Sequence, residues 1–297
     1  MVARFVLGTA QIGNRYGITN DSNPMVSADA ALILDAARQR GIAALDTAPG
    51  YGESERVLGE CGVRDFEVIT KVPTLDPDAH LEIDTIPAML SRSLGRLDIE
   101  RCYGLLLHHE DQLLLPNADR VFDSLVEAKA AGLTEHIGLS VYSPAKLQAI
   151  AERYDIDFFQ APANVFDRRF LSSDIAELIA SRGLEFHARS IFLQGILAGT
   201  TQSLPKYFSQ WDHLLSSFHQ TCDQHRLDAN TAAIQFVASY SHVDRLVVGV
   251  ANPDHVMSLP ALCAPEELDT LRADLEPLGS SDLSLINPSN WPTGGRS

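Results

Sequence analysis

Positive charge is scarce in this chain: Lys and Arg number 23 against 39 Asp and Glu, a formal charge of −16 over 297 residues. A surface that acidic repels phosphate backbones and anionic lipid, so nucleic acid and membrane surfaces are poor candidates as partners. Cysteine is sparse too. Cys61, Cys102, Cys222 and Cys263 lie far apart, with no CxxC and no Cys/His spacing suited to a metal. That argues against a disulfide framework and a metal site, leaves Cys102 as a core residue beside an apolar run, and makes a reducing, cytoplasmic setting the expectation. No apolar run is long enough to span a bilayer, and the opening MVARFVLGTAQIG has too short an apolar stretch for a signal peptide. Also missing is a GxGxxG turn after an early strand, which an open doubly wound nucleotide-binding sheet would want.

What is present is alternation. Short, nearly continuous apolar runs predict strands at 3–9, 43–47, 66–72, 102–108, 136–140, 157–161, 184–188 and 245–250. Runs of that kind suit strands buried on both faces. Between them, apolar residues at helical spacing predict helices from Ser27, where Gly41 is placed to end the helix, and at 53–61, 83–97, 117–131, 144–153, 171–182 and 253–263. Gly132 and Gly183 are further stop signals, and two more helical segments, near 210–225 and 228–241, fall between the last two strands. Eight β-α units imply a parallel sheet closed on itself: an α/β fold of the (β/α)8 TIM-barrel type. No repeat or linker divides the chain, so residues 1–278 are expected to form a single domain, with 279–297, rich in Ser, Pro and Gly, as an irregular C-terminal tail that is either a flap or frayed.

In such a barrel the active site gathers at the carboxyl ends of the strands. There the sequence places Asp46 and Tyr51 (DTAPGYGESE) after the second strand, Lys71 (ITK) at the third and His108 (LLLHHED) at the fourth. Reduction of a carbonyl generates an alkoxide-like oxygen that needs a proton donor and hydrogen bonds. A phenol with an ordinary pKa of about 10 is a poor acid at neutral pH, but a nearby ammonium favours its ionised form, and a carboxylate keeps that ammonium charged and in place. Each residue has a bland alternative: a helix cap for Asp46, a cover for the barrel mouth for Tyr51, a solvated amine for Lys71, a core imidazole for His108. Their joint occurrence on consecutive strands is what favours chemistry.

With those residues in hand, the chain resembles the aldo-keto reductase family from Leu7 to about Leu262. The matching stretches are LGTAQIG, LDTAPGYGESERVLG, VITKV, LLLHHED, HIGLSVYS, FFQAPANVFDRR, HARSIFLQGILAG and VVGVANPDHV. The resemblance implies a nicotinamide-dependent oxidoreductase interconverting a carbonyl and an alcohol by direct hydride transfer. It implies Tyr51 as proton donor, Asp46 and Lys71 as the residues that tune it, and His108, rather than His109, as the group that positions the substrate oxygen. For the cofactor it implies Gly8, Thr9, Ala10 and Asp46 near the mouth, with Ser140 and Gln160 on the nicotinamide carboxamide. Ser190, Phe192, Gln194 and Gly195 belong to a loop around the pyrophosphate, and Gly249, Asn252 and His255 follow the last strand. Four positions depart from the family pattern: Val141 stands where Asn is usual, Arg189 where an aromatic often stacks on the nicotinamide, and Gly249 and His255 where cations often grip the 2′-phosphate of NADPH.

The resemblance therefore points to NADPH while those last two residues leave NADH open. Gln11, Asn14, Arg15, Tyr16, His109 and Glu110 are expected to border the substrate, with Gln11, Tyr16 and His109 in the pocket itself. Their polarity predicts a small polar aldehyde or sugar derivative over a lipophilic ketone. The opening LGTAQIGNRYGI looks like a bacterial branch associated with sugar metabolism. Two other readings stand beside this one: a non-catalytic nicotinamide-binding barrel acting as a sensor or regulatory subunit, and an unrelated barrel enzyme such as a metal-dependent hydrolase or an aldolase using Lys71 as a Schiff base. No residue pattern speaks to oligomeric state.

Overall fold

The structure is a computed structural model that describes residues 4–13, 27–73, 86–198 and 204–292. Eight parallel strands close into a barrel, each hydrogen-bonded to the next and β8 to β1. In chain order these are β1 (Arg4–Gly8), α1 (Ala10–Gly13), α2 (Ser27–Gln39), β2 (Ala44–Asp46), α3 (Ser54–Cys61), β3 (Glu67–Val72), α4 (Ile86–Leu97) and β4 (Cys102–Leu107). Then come α5 (Ala118–Ala130), β5 (Thr134–Ser140), α6 (Pro144–Arg153), β6 (Phe158–Pro162), α7 (Ser173–Arg182), β7 (Glu185–Arg189), α8 (Asp212–His225), α9 (Ala229–Ala238) and β8 (Arg245–Gly249). Three short helices follow: α10 (Pro253–Met257), α11 (Asp269–Leu275) and α12 (Leu283–Ile286). All eight strands fall within two residues of where the apolar runs place them, and the helices expected at the stop glycines end there. Gly183, for instance, caps α7 in the left-handed region at φ 65°. Among the described residues no helix is long and apolar enough to cross a membrane.

One expectation needs correcting, and one open choice narrows. The helix expected at 253–263 stops at Met257, because Pro260 follows and disfavours helical backbone at the residue before it. The tail is not frayed through 292: α12 buries Leu285 and Ile286, the Trp211 indole donates to Asp282 at 3.1 Å, and the Trp291 indole donates to the Leu285 carbonyl at 3.1 Å. Two adjacent apolar residues are too few to stand out as periodicity in a Ser- and Pro-rich stretch, but they are enough to fasten it.

Inside the barrel, Val6, Ala44, Ile69, Leu106 and Phe158 form a compact apolar plug. The amino-terminal end below it is closed by charge. Arg245, 2% exposed, reaches Glu67 and Glu185 at 2.5 Å each and stacks on the Tyr103 ring at 4.2 Å, while the Tyr103 hydroxyl donates to Glu185. Among the described residues the open cavity lies at the other end, lined by residues at and after the carboxyl ends of the strands.

Candidate active site

Strand register brings the charged residues together at the open mouth. Asp46 ends β2 opposite Ile69 of β3, and Lys71, two residues further along β3, projects to the same side. Both are buried, at 3% and 2% exposure. The Lys71 ammonium donates to both Asp46 oxygens, at 2.7 and 2.8 Å, and to the Thr47 carbonyl at 3.1 Å. Burial alone would depress its pKa, but the Asp46 charge and contact with the Tyr51 hydroxyl outweigh that and hold it above the usual lysine value. Lys71 is therefore a charged ammonium, its Nζ 4.9 Å from the centre of the Tyr51 ring. Gln160 of β6 donates its amide to Asp46 at 2.8 Å, fixing the carboxylate from the far side of the barrel.

His108 follows β4, and its ring meets Tyr51 edge-on with centroids 6.4 Å apart. Burial first, then the Lys71 charge, pushes its pKa down to about 4. The imidazole is neutral at physiological pH, a hydrogen-bonding group rather than an acid. His109 is exposed and stacks on it at 5.3 Å.

The turn carrying Tyr51 is held by a knot that the sequence did not reveal. Ser54 donates to the Thr9 carbonyl at 3.1 Å and to its hydroxyl at 2.9 Å, and the Thr9 hydroxyl donates to the Asp46 carbonyl at 3.0 Å. Gly13 lets α1 lie against this turn, since a Cβ there would stand 1.7 Å from the Tyr51 carbonyl oxygen. Thr9, expected near the cofactor, is thus spent on positioning. Both residues sit in stretches already read as motifs, but their partners lie about 40 positions away, so no local pattern marks the contact.

A cavity of about 600 Å³ opens beside Tyr51 and Asp46, within the usual range for a cofactor site. Most residues expected at the cofactor line it: Gly8, Ala10, Gln160, Arg189, Ser190, Phe192, Gln194, Gly195, Gly249 and His255. Gln11 is on its wall too, packed against Gly249. Asn252 instead caps α10, accepting from the His255 amide at 2.9 Å, and Ser140 is buried beside Arg189. Tyr16, with Asn14 and Arg15, lies outside the described residues. Glu110 is buried, faces the Tyr142 amide and Lys146, and is not among the residues lining the cavity. Missed from sequence were Asp228 and Asn230 at the start of α9, and Ser258 to Pro260 after α10. Polar residues at a helix start read as ordinary caps, which Asp228 also is.

The residues present fit a nicotinamide cofactor on two counts. Gln11 Oε1 is buried on the cavity wall without a hydrogen-bond partner among the described residues, an acceptor placed to meet a donor. The loop after β7 holds Ser190, Leu193 and Gln194 in the left-handed region, at φ 59°, 46° and 54°, strain of about 1–3 kcal/mol each that such loops keep where a ligand is gripped. Among the described residues no three His, Cys, Asp or Glu side chains are grouped to hold a metal ion.

The Aldo/keto reductase family model matches residues 4–271, nearly the whole barrel. This chain belongs to that family. Aldo-keto reductases are NAD(P)-dependent oxidoreductases that interconvert carbonyls and alcohols, and this chain is an enzyme of that kind acting on small carbonyl or alcohol compounds. It is 29% identical over 292 residues to a D-threo-aldose 1-dehydrogenase from a Pseudomonas species, covering 83% of this chain and 84% of that protein. It is 24% identical over 307 residues to a pyridoxal 4-dehydrogenase of Microbacterium luteolum, covering 84% and 86%. An aldo-keto reductase of Bacillus halodurans in its holo form superposes with a TM-score of 0.76 at 19% identity, over 98% of this chain and 96% of the other.

Proposed function

We propose that this aldo-keto reductase works on a small, polar, sugar-like carbonyl or alcohol, with Tyr51 handling the proton and NADH preferred to NADPH. The observation that carries the catalytic part is the buried Lys71–Asp46 pair at 2.7 Å set against Tyr51. Tyr51 gives its hydroxyl proton to the carbonyl oxygen in reduction and takes the alcohol proton in oxidation. The Lys71 ammonium offsets the charge left on the phenol oxygen, and Asp46 with Gln160 keeps that ammonium from turning away. Neutral His108 donates a hydrogen bond to the substrate oxygen as charge builds there. The nicotinamide, when bound, supplies or takes up the hydride at the substrate carbon. Gln160 and Ser140 would hold its carboxamide, the 190–195 loop its pyrophosphate, and the 249–260 segment its adenosine.

The preference for NADH rests on charge. A 2′-phosphate carries nearly two negative charges and wants a cation, yet the lining near α9 and α10 offers Asp228, Asn230, His255 and Ser258. Asp228 is held ionised by the Thr231 amide and hydroxyl at 2.9 and 2.7 Å, so it opposes a phosphate while suiting a ribose hydroxyl. The sugar-like substrate is favoured by Gln11 and His109 near the mouth and by the D-threo-aldose 1-dehydrogenase relative.

Tyr51→Phe is the test of the site. Turnover with small hydroxylated aldehydes or aldoses, read at the reduced-cofactor absorbance, should fall roughly 10²- to 10⁴-fold while cofactor affinity changes little. Unchanged turnover removes Tyr51 from the reaction. Tighter binding of NADPH than NADH refutes the charge argument, and activity confined to aromatic ketones refutes the substrate class.

A further inference from the structure

Arg189, the last residue of β7, lines the cavity with Tyr51, Asp46 and Gln160. Its guanidinium rests on the Tyr142 ring at 4.2 Å and makes only long contacts to neutral groups: the Ser190 hydroxyl at 3.3 Å, the Ser140 hydroxyl at 3.4 Å and the Val141 carbonyl at 3.5 Å. The acidic groups around it are taken. Asp46 belongs to Lys71; Asp167 is clamped by Arg169, which also donates to the Tyr142 carbonyl; Glu110 faces Lys146. Among the described residues no carboxylate pairs with Arg189. In a protein of net charge −16, a half-buried arginine at the active-site mouth is left uncompensated.

What this cation faces follows from the chemistry already assigned. Hydride passes between atoms roughly 3–3.5 Å apart, so the nicotinamide must lie beside the substrate oxygen held by Tyr51. Contacts link that place to Arg189: Tyr51 to Lys71, Lys71 to Asp46, Asp46 to Gln160, Gln160 beside Ser140 in the β5–β6 register, and Ser140 to Arg189. The oxidised ring carries a positive charge and the reduced ring none.

Resting on the cofactor reading above, we propose that Arg189 biases this enzyme toward alcohol oxidation by opposing the positive charge of the oxidised nicotinamide. In that direction the carbinol carbon gives up a hydride, the hydroxyl proton passes to Tyr51, which enters the step as the phenolate beside the Lys71 ammonium, and a C=O bond forms. The hydride's electron pair discharges the pyridinium, which relieves its repulsion with the guanidinium. With the Tyr51 hydroxyl protonated, as in the cofactor complexes compared below, the charge elsewhere at the mouth does not cancel the effect, since Lys71 and Asp46 neutralise each other and His108 is neutral. The field of Arg189 also reaches His108, where it is one of the influences that disfavour protonation. At the spacing of a stacked pair in a partly solvated cleft, one added unit charge is worth roughly ten- to a hundredfold in affinity.

The experiment measures dissociation constants of the full chain for NAD⁺, NADH and ADP-ribose by fluorescence or calorimetric titration, with Arg189→Gln and Arg189→Lys alongside. Wild type should bind NADH at least tenfold more tightly than NAD⁺. Arg189→Gln should tighten NAD⁺, narrow that ratio by about tenfold and leave ADP-ribose within twofold, while Arg189→Lys keeps the wild-type ratio. Equal affinity of wild type for the two oxidation states overturns the proposal whatever the variants do. So does a Gln variant that keeps the ratio or weakens all three ligands alike, the latter placing the guanidinium on the pyrophosphate. Reading the same ratio with NADP⁺ and NADPH separates a wrong phosphate preference from a wrong role for Arg189. Failure of all these ligands to bind wild type overturns the cofactor reading as well.

Discussion

Removing the Lys71 ammonium tests whether the buried pair is held for catalysis at the expense of simpler packing. In Lys71→Met the methionine fills similar space, but Asp46, 3% exposed, keeps only the Gln160 amide as a charged-state partner among the contacts described here. Breaking one side of a buried pair leaves an uncompensated charge and is destabilising by about 3–5 kcal/mol. With an m-value near the upper end for urea, roughly 3 kcal/mol per M, the unfolding midpoint should drop by about 1–2 M. Adding Asp46→Asn removes the stranded charge, so the double variant should recover most of that loss. Turnover, followed by reduced-cofactor absorbance, should stay low in both, since neither has an ammonium beside Tyr51. Equal midpoints for the single and double variants would show that Asp46 is not stranded. Near-normal turnover in Lys71→Met would refute the electrostatic account of the site.

Two further predictions probe the support of Tyr51 and the state of His108. Gly13→Ala sets a methyl group 1.7 Å from the Tyr51 carbonyl oxygen and 2.6 Å from the Ser54 amide, so the turn must move. A displacement of about 1 Å costs on the order of 10²-fold in kcat, and steady-state kinetics should show this with cofactor affinity little changed; a normal kcat would mean the turn tolerates the shift. His108, at about 4 when folded against an ordinary 6.5, binds its proton more readily in the unfolded chain. Stability therefore falls as pH drops below 6.5 and the loss is complete below 4, amounting to about 2 kcal/mol between pH 7 and pH 5. His187 is also buried and depressed by burial, so the readout is the difference between wild type and His108→Gln in urea midpoints against pH. A difference independent of pH would mean that His108 is not held neutral by its surroundings.

The parts of this molecule legible from sequence are those whose physics is local or repeated. Each strand is a short apolar run because both its faces are buried; of the proposed catalytic residues, Asp46, Lys71 and His108 stand at or next to the end of such a run, and Tyr51 follows in the turn after β2. Where the determining contact is distant, the signal vanishes. Ser54 reads as a helix start, yet its hydroxyl works on Thr9, 45 residues earlier. Arg245 reads as a strand boundary, yet it closes the barrel through Glu67, 178 positions away. Asp228 and Asn230 reach the cavity only because α8 packs so that the α8–α9 turn meets the barrel mouth. The tail is a different case: only two of its residues, Leu285 and Ile286, are buried apolar side chains, below what any periodicity can reveal.

The charge arrangement at the mouth explains why composition alone misleads about the cofactor. An overall −16 opposes a ligand carrying a pyrophosphate, and most of the site's own cations do nothing to offset that. Lys71 is cancelled by Asp46, Arg169 by Asp167, and burial keeps His108 uncharged. Among the described lining residues, a ligand approaching the inner end therefore meets the positive charge of Arg189 and further out meets the carboxylate of Asp228. On the proposed reading such a field does not favour extra phosphate, because among the described lining residues the cation without a carboxylate partner, Arg189, lies on the wall shared with the reaction centre. It can distinguish two forms of a ring that differ by one charge. The residues that break the family pattern, Arg189 at one end and Gly249 and His255 at the other, are thus consistent with each other: on the proposed reading both would shift selection away from the cofactor's phosphates and toward its oxidation state.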